Sequence, residues 1–179
     1  MIRMVTEEDA ELCCRWYNWY IEHSTATWET EPLTSGQFAE RIRNVRRKYP
    51  WIILEEEGVP AGYAYLSHFN ERAAYDWTAD VSIYVAPEMR KKGYGRKLMQ
   101  ALIDIAVKDG YKQLVSIITE GNAASEKLHQ NYGFNKIAVF ADFGYKAGQW
   151  MGVSYWVKTI ASEFEHEPAK PQNPDITEE

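Results

Sequence analysis

Five basic side chains surround a glycine turn near the middle of the chain, in the stretch MRKKGYGRKL (89–98). The basic residues are Arg90, Lys91, Lys92, Arg96 and Lys97, and the glycines are Gly93 and Gly95. Glycines let the backbone turn sharply and bring its N–H groups close to a ligand. The start of a helix adds unpaired N–H donors and the positive end of a dipole. The sequence therefore predicts a site for an anion, and for phosphate groups above all.

The glycine spacing of this turn excludes two common nucleotide-binding motifs. A P-loop requires G-x-x-x-x-G-K-[ST], which the chain lacks. The dinucleotide fingerprint G-x-G-x-x-G fails because Leu98 stands where the third glycine should be. What remains is an R-x-x-G-x-G pattern after a β-type run that ends at Val85. Taken alone, this pattern is equally typical of a basic turn with a glycine hinge.

The overall charge of the chain does not explain the basic turn. The net charge is −6 at pH 7; residues 161–179 hold six acids and one lysine (−5), so residues 1–160 sum to about −1. Nucleic-acid-binding domains carry a basic surface, and we therefore expect no nucleic-acid partner. The acidic, proline-containing stretch 161–179 is predicted to be a disordered tail.

The periodicity of apolar residues predicts the elements that must position the turn. Strands are expected at 2–5, in a hairpin at 51–69, at 78–85, at 113–119, and in two last runs, 134–143 and 152–160. Helices are expected from Thr6 to about 22, from Thr34 or Ser35 to about 48, at 96–110 and at 122–133. This order predicts an α+β (α/β) domain over residues 1–160, with a mixed sheet covered by helices on both faces.

Several features of the sequence favour a cytoplasmic protein. No apolar stretch approaches the roughly 18 residues of a membrane span, and MIRMVTEEDAEL (1–12) lacks the apolar core of a signal peptide. Cys13 and Cys14 are neighbours, which fits neither a disulfide framework nor a zinc site. We expect no membrane partner and no metal.

A second motif follows a buried strand in the C-terminal half, where the sequence reads NAASEKLHQNYGF (122–134). The motif begins at Asn122 and closes with the pair Gly133-Phe134. Together with the R-x-x-G-x-G turn before it, this motif resembles those of the GCN5-related N-acetyltransferase (GNAT) superfamily. STATWETEP (24–32), AYDWTAD (74–80) and GYKAGQWMGVSYW (144–156) narrow the resemblance to the phosphinothricin and methionine sulfoximine acetyltransferases. The resemblance implies a GNAT-like acyl-CoA N-acyltransferase fold with a mostly antiparallel sheet, and it implies a homodimer.

The resemblance implies transfer of an acetyl group from acetyl-CoA to the α-amine of a small amino-acid-like substrate. This chemistry needs a base for the ammonium, a donor for the carbonyl oxygen and an acid for the departing thiolate. Asp80 is the candidate base, directly or through a water, or else a carboxylate that only orients its surroundings. His129 is the second candidate and can serve as acid or base. Tyr132, one helical turn away, is the alternative acid.

The resemblance also implies the contacts of acetyl-CoA with this chain. The pantetheine arm should pair with the β-type run before the turn, with the Val85 amide at the carbonyl oxygen. The backbone of the glycine turn should hold the pyrophosphate. The predicted cofactor-binding residues are Ile83, Tyr84, Val85, Lys91, Lys92, Gly93, Tyr94, Gly95, Arg96 and Asn122.

Two loops are expected to select the acceptor amine. The predicted substrate-binding residues are Trp28, Glu29, Arg72, Ala73, Ala74 and Tyr75. Arg72 suits a substrate carboxylate by bidentate pairing, whereas Trp28 and Tyr75 could equally be packing residues. Glu29 stands where some phosphinothricin enzymes carry arginine, which speaks against phosphinothricin itself. The alternatives are acetylation of a peptide, protein or polyamine amine, and a module that binds acyl-CoA without turnover.

Overall fold

The computed structural model describes residues 1–172, and its elements follow the order predicted from the sequence. The strands are β1 (Ile2–Met4), β2 (Trp51–Glu56), β3 (Val59–His68), β4 (Thr78–Val85), β5 (Gln113–Thr119), β6 (Asn135–Lys146) and β7 (Gln149–Thr159). The helices are α1 (Ala10–His23), α2 (Ser35–Arg46), α3 (Tyr94–Lys108) and α4 (Ala123–Asn131). Short 3-10 turns lie at Glu7–Asp9, Ala73–Tyr75 and Pro87–Met89. The predicted α+β class is confirmed.

The strands form one sheet in the order β1-β2-β3-β4-β5-β7-β6. Within the described residues, β4 and β5 are the one parallel pair, and all other neighbours are antiparallel. The parallel pair is short, since only Thr78–Asp80 face Gln113–Val115. Beyond these three positions the two strands separate, while β3 continues to pair with β4 as far as Val85. The sheet therefore opens into a wedge at its middle.

Two cores hold the helices against the two faces of the sheet. One lies under α3, where Leu98, Leu102 and Ala106 are fully buried, as the apolar spacing of this helix predicts. The other lies under α1 and α2 and is rich in aromatic side chains, among them Tyr63 with no exposed surface. Helices thus cover both faces of the central strands, whereas β6 is largely exposed.

The ends of the helices carry the expected capping residues. Thr34 precedes α2, and its hydroxyl accepts from the amide of Gln37 at 3.2 Å while the Gln37 side chain accepts from the Thr34 amide. Gly93 precedes α3 with φ of 85°, a left-handed conformation that glycine adopts without strain. The glycine turn therefore leads directly into a helix, as the sequence predicts.

The first part of the acidic tail contacts the domain without forming a helix or strand. Within residues 161–172, Glu165 pairs with Lys112 at 2.6 Å and Lys170 pairs with Asp76 at 2.9 Å. The Trp77 indole donates to the Ala169 carbonyl at 2.8 Å. The disorder expected for 161–179 stays a prediction, and its part at 173–179 lies outside the described residues. No helix within residues 1–172 is long and apolar enough to cross a membrane.

Candidate active site

A cavity of about 1050 Å³ occupies the wedge between β4 and β5. Residues 81–85 form one wall and 116–119 form the other. The glycine turn, the end of α1 and the first turns of α4 complete it. The cavity thus brings together most of the predicted cofactor residues and one of the two predicted catalytic residues.

The cavity edge of β4 presents backbone groups to a ligand. The Ala86 amide donates to the Ala61 carbonyl at 2.9 Å, so in this antiparallel register the polar groups of Tyr84 and Ala86 face β3. Those of Ile83 and Val85 point to the opposite side, into the wedge. The Val85 carbonyl accepts from the Tyr20 hydroxyl at 2.7 Å. The Val85 amide and both backbone groups of Ile83 are left facing the cavity.

The glycine turn supplies a run of unpaired amides. Lys91 and Gly93 both have positive φ values, 65° and 85°. Within residues 1–172, the amides of 91–95 donate to no hydrogen-bond acceptor, whereas the next two, Arg96 and Lys97, donate to the Gly93 carbonyl. A run of free N–H groups at a helix start binds phosphate oxygens. Lys91, Gly93, Tyr94, Gly95 and Arg96 all line the cavity.

The basic side chains of the turn divide into two groups. Arg90, Lys91 and Arg96 line the cavity. Lys97 turns away and pairs with Glu56 at 2.7 Å, and Lys92 lies against the Met89 sulfur at 3.4 Å, outside the cavity wall. The positive field of the cavity mouth therefore comes mainly from the first group.

His129 lies in the cavity wall and is 4% exposed. Its Nδ1 lies 2.8 Å from the Ser125 carbonyl, which requires Nδ1 to carry the proton in the neutral ring. Its Nε2 has no hydrogen-bond partner within residues 1–172. Burial lowers the pKa of this imidazole below its usual value. His129 is therefore held neutral, with an acceptor nitrogen that nothing in the described chain satisfies.

Asp80 lies at the last position where β4 pairs with β5, beside the cavity but not in its wall. Its Oδ1 is buried and has no hydrogen-bond partner in the described part of the chain. Burial raises the pKa of this carboxyl to about 7. A carboxyl with such a pKa can exchange protons near neutral pH. Asp80 therefore lies at the closed end of the wedge, one residue before Val81, which lines the cavity.

Asn122 caps α4 and lines the cavity. Its Oδ1 accepts from the Ser125 amide at 3.2 Å, and its Nδ2 donates to no acceptor within residues 1–172. Tyr132 lies outside the cavity, and its hydroxyl donates to the Arg96 carbonyl at 2.9 Å. Asn122 is available to a ligand in the cavity, whereas Tyr132 supports the helix that carries the glycine turn.

The two predicted substrate residues of the first loop have partners inside the protein. The Glu29 carboxylate lies 2.6 Å from the Arg41 guanidinium and accepts from the Tyr17 hydroxyl at 3.1 Å. The Trp28 ring packs directly on the backbone of Gly144 in β6. Neither residue lines the cavity, so their predicted contact with the acceptor remains untested.

The second predicted substrate segment, residues 72–75, also lies outside the cavity wall. Arg72 is exposed and forms no ion pair within the described residues. Ala73 and Ala74 are exposed in a 3-10 turn, and the Tyr75 ring packs edge-on against Phe69 at 5.6 Å. Arg72 is therefore a cation that is still free to receive an anionic group.

Sequence reasoning missed the residues that hold the cavity loop 24–27. The buried Lys146 donates to the carbonyls of Ser24 at 3.1 Å and Thr27 at 2.7 Å. The Thr119 hydroxyl donates to the Thr25 carbonyl at 2.6 Å. These contacts join positions about 94 to 122 residues apart in the chain, so no local spacing could reveal them.

Residues 2–153 match the acetyltransferase (GNAT) domain family. The chain belongs to the GNAT acetyltransferase family. It is 33% identical to the phosphinothricin N-acetyltransferase of Streptomyces viridochromogenes over 170 residues, 95% of this chain and 93% of that protein. It is 32% identical to the L-methionine sulfoximine/L-methionine sulfone acetyltransferase of Salmonella typhimurium, over 86% of this chain and 91% of that protein.

A solved structure supports the same assignment. The GNAT phosphinothricin acetyltransferase of Sinorhizobium meliloti, in complex with acetyl-CoA, superposes on this GNAT chain with a TM-score of 0.90. The two are 28% identical, and the match covers 98% of this chain and 96% of the other. The predicted family, GNAT fold and enzyme class are confirmed: the chain is an acetyl-CoA-dependent N-acetyltransferase. Within residues 1–172, no three His, Cys, Asp or Glu side chains are grouped to hold a metal.

Proposed function

We propose that this enzyme acetylates the α-amine of a small amino-acid analogue of the phosphinothricin, methionine sulfoximine or methionine sulfone type. The observation that carries the proposal is the wedge between β4 and β5. It combines an open strand edge, a run of unpaired amides and a buried imidazole in one cavity. The named activities of the two relatives support the substrate class.

The cavity fits acetyl-CoA, which supplies an acetyl thioester when bound. The free backbone groups of Ile83 and Val85 pair with the amides of the pantetheine arm, as they would with an added strand. The Val85 amide then donates to the thioester oxygen and stabilises the negative charge that develops there. Asn122 donates through Nδ2 to the same arm, and the amides of residues 91–95 bind the pyrophosphate.

Two groups handle the protons of the reaction. The amine arrives as an ammonium and must lose a proton before it attacks. His129 presents Nε2 from the cavity wall and accepts that proton, then returns it to the thiolate, whose conjugate thiol has a pKa of about 8.5. Asp80 lies behind the wall. Its carboxyl relays to solvent, through a water, the second proton that the nitrogen loses after attack, or else it orients the amine.

The acceptor is selected at the end of the cavity lined by loop 24–27. Arg72 can pair with the substrate carboxylate. Because Arg72 lies outside the cavity wall, this pairing requires its loop to move toward the cavity. Trp28 closes the apolar side of the site, and Ala73 and Ala74 leave room for the substrate. Glu29 acts through its pair with Arg41, which fixes the direction of the loop.

The same proposal includes a homodimer in the cytoplasm. One face of the β6–β7 hairpin exposes Ile137, Phe143, Tyr145 and Trp150, each more than half accessible. A group of exposed apolar side chains of this kind is typical of an interaction site. A second copy would cover the hairpin face and shield the strand edge of β6.

Thiol release from acetyl-CoA, measured against a panel of amines, tests this function. The panel holds methionine sulfoximine, methionine sulfone, phosphinothricin, the common amino acids, a polyamine and a peptide. Saturable release with a sulfoximine or sulfone is expected. Release with the peptide or polyamine alone would refute the substrate class, and tight CoA binding without release would refute catalysis. Light scattering of the parent chain and of Trp150→Glu tests the dimer, which the substitution should split.

A further inference from the structure

The last turn of α1 carries two neighbouring aromatic side chains, Trp19 and Tyr20, that no motif of the sequence points to; of the two, Tyr20 lines the cavity. Tyr20 lines the cavity and donates its hydroxyl to the Val85 carbonyl at 2.7 Å. The neighbouring Trp19 packs edge-on against the Tyr20 ring, with centroids 5.2 Å apart. Its other neighbour is the His23 ring, stacked at 5.0 Å and nearly parallel. The Trp19 indole is therefore fixed between two rings of its own helix.

The guanidinium of Arg90 lies over the Trp19 ring. The Arg90 Cζ atom lies 4.5 Å from the centroid of the indole, within the range of a cation–π contact. The Arg90 Nε donates to the Pro87 carbonyl at 3.1 Å. Arg90 forms no ion pair within the described residues. Its two terminal nitrogens are thus held in place with their donors unused.

Arg90 also lies next to the proposed phosphate site. It lines the cavity beside the run of unpaired amides at 91–95. A guanidinium matches phosphate oxygens bidentately, and a preorganised fork loses less freedom on binding than a mobile side chain. Lysines of the same turn are either exposed without a ring contact or turned away, as Lys97 is toward Glu56.

We propose that Trp19 is a positioning residue for acetyl-CoA, and that it acts by holding Arg90 ready for the phosphate groups. The inference rests on the proposed phosphate site of the glycine turn. It assigns α1 a part in cofactor affinity, which otherwise belongs to β4 and α3. Trp19 touches neither the thioester nor the amine, so it should affect binding of the phosphates and leave the rate of the bound complex unchanged.

The test is calorimetric titration of CoA into the parent chain and into Trp19→Leu, Trp19→Phe, Arg90→Ala and the Trp19→Leu/Arg90→Ala double variant. Loss of an exposed cation–π contact should weaken CoA binding roughly two- to fivefold in Trp19→Leu. Trp19→Phe, which keeps a ring, should fall nearer the parent. The double variant should bind no more weakly than Arg90→Ala alone, because Trp19 acts through Arg90.

Acetyl-pantetheine, which lacks the phosphates, separates positioning from simple packing. Its KM should be the same for the parent chain and for Trp19→Leu, with thermal melting as a check of folding. An equal loss of affinity for acetyl-CoA and acetyl-pantetheine in Trp19→Leu would overturn the proposal, since Trp19 would then support the cavity as a whole and not the phosphate site. Unchanged CoA affinity in Trp19→Leu would also overturn it. If the parent chain bound no CoA, the phosphate site and this inference would fall together.

Discussion

Asp80 lies opposite Val115 at the last position where β4 and β5 pair. On the far side of this position the strands separate and the cavity begins. The Asp80 carboxyl at this position is largely shielded from water, and this burial raises its pKa to about 7. The geometry of the sheet, not a neighbouring charge, sets the protonation of this group.

The pH dependence of activity should reveal this carboxyl. We expect kcat/KM to rise through an apparent pKa near 7 as Asp80 deprotonates. Asp80→Asn, which keeps the shape, should lower the rate and remove this limb of the profile. Asp104→Asn is the matched control, because Asp104 is exposed on α3 and absent from the cavity wall, so it should leave the profile as it is. If Asp80→Asn kept the pH profile of the parent enzyme, Asp80 would not be the titrating group.

The same carboxyl should make stability depend on pH in an unusual direction. Its pKa is about 7 in the folded chain and 3.8 in the unfolded one, so the folded state holds the proton more tightly. The contribution of Asp80 to the free energy of unfolding should therefore fall as pH rises from about 4 to 7, by up to about 4 kcal/mol. Asp80→Asn should lack this fall. Urea unfolding of both proteins between pH 4 and 8 gives the comparison.

His129 should behave as a neutral imidazole throughout the working range. Burial lowers its pKa and Ser125 fixes the proton on Nδ1. His129→Gln should reduce kcat by about 10²- to 10⁴-fold, the usual contribution of a positioned acid–base group. CoA affinity should change little. NMR titration of the ring should give a pKa below 6.5; a ring charged at pH 7 would contradict the assignment.

Loop 24–27 should loosen when its lysine is removed. Lys146→Met deletes two hydrogen bonds to loop carbonyls, which should cost about 1–3 kcal/mol of stability because the carbonyls are left unpaired. We also expect KM for the acceptor to rise more than KM for acetyl-CoA, since Ser24, Thr25 and Ala26 line the part of the cavity where we propose that the acceptor binds. Lys108→Met, at an exposed position of α3, is the control. Equal rises in both KM values would argue against a selective role.

Reducing the volume of a buried side chain under α3 should destabilise the protein. Leu102 is fully buried beneath the helix, and Leu102→Ala should destabilise the protein by about 2–5 kcal/mol through lost contacts and a cavity. Val107 is 54% exposed on the same helix, so Val107→Ala should cost under about 0.5 kcal/mol. Thermal unfolding of both variants tests the assignment of the helix faces.

The elements of the fold could be read from the sequence because their signals are local. The spacing of Leu98, Leu102 and Ala106 marks the buried face of α3, and Thr34 and Gly93 mark helix starts within a few residues. The glycine turn could be found for the same reason, since R-x-x-G-x-G lies within six positions. Local patterns thus predict the glycine turn, which we propose to be the cofactor side of the site.

The acceptor side could not be read in this way. The contacts of Lys146 with Ser24 and of Thr119 with Thr25 join distant segments, and no spacing rule connects them. Sequence analysis named Glu29 as a substrate group, yet its carboxylate is paired with Arg41 of α2. The pairing of polar groups is decided by how loops pack, which depends on the whole fold.

The three-position parallel contact between β4 and β5 has a consequence for how the molecule unfolds. It is the sheet's own link between two blocks of strands, β1–β4 and β5–β7–β6. Residues 165 and 170 of the tail bind Lys112 just before β5 and Asp76 just before β4, so the tail bridges the two blocks at the narrow link. The tail thus adds polar contacts between the two blocks to the apolar core that they share under α3. A chain that ends at residue 160 should lose these contacts and melt at a slightly lower temperature, and CoA, which we propose to bind in the wedge between the same two blocks, should offset this loss.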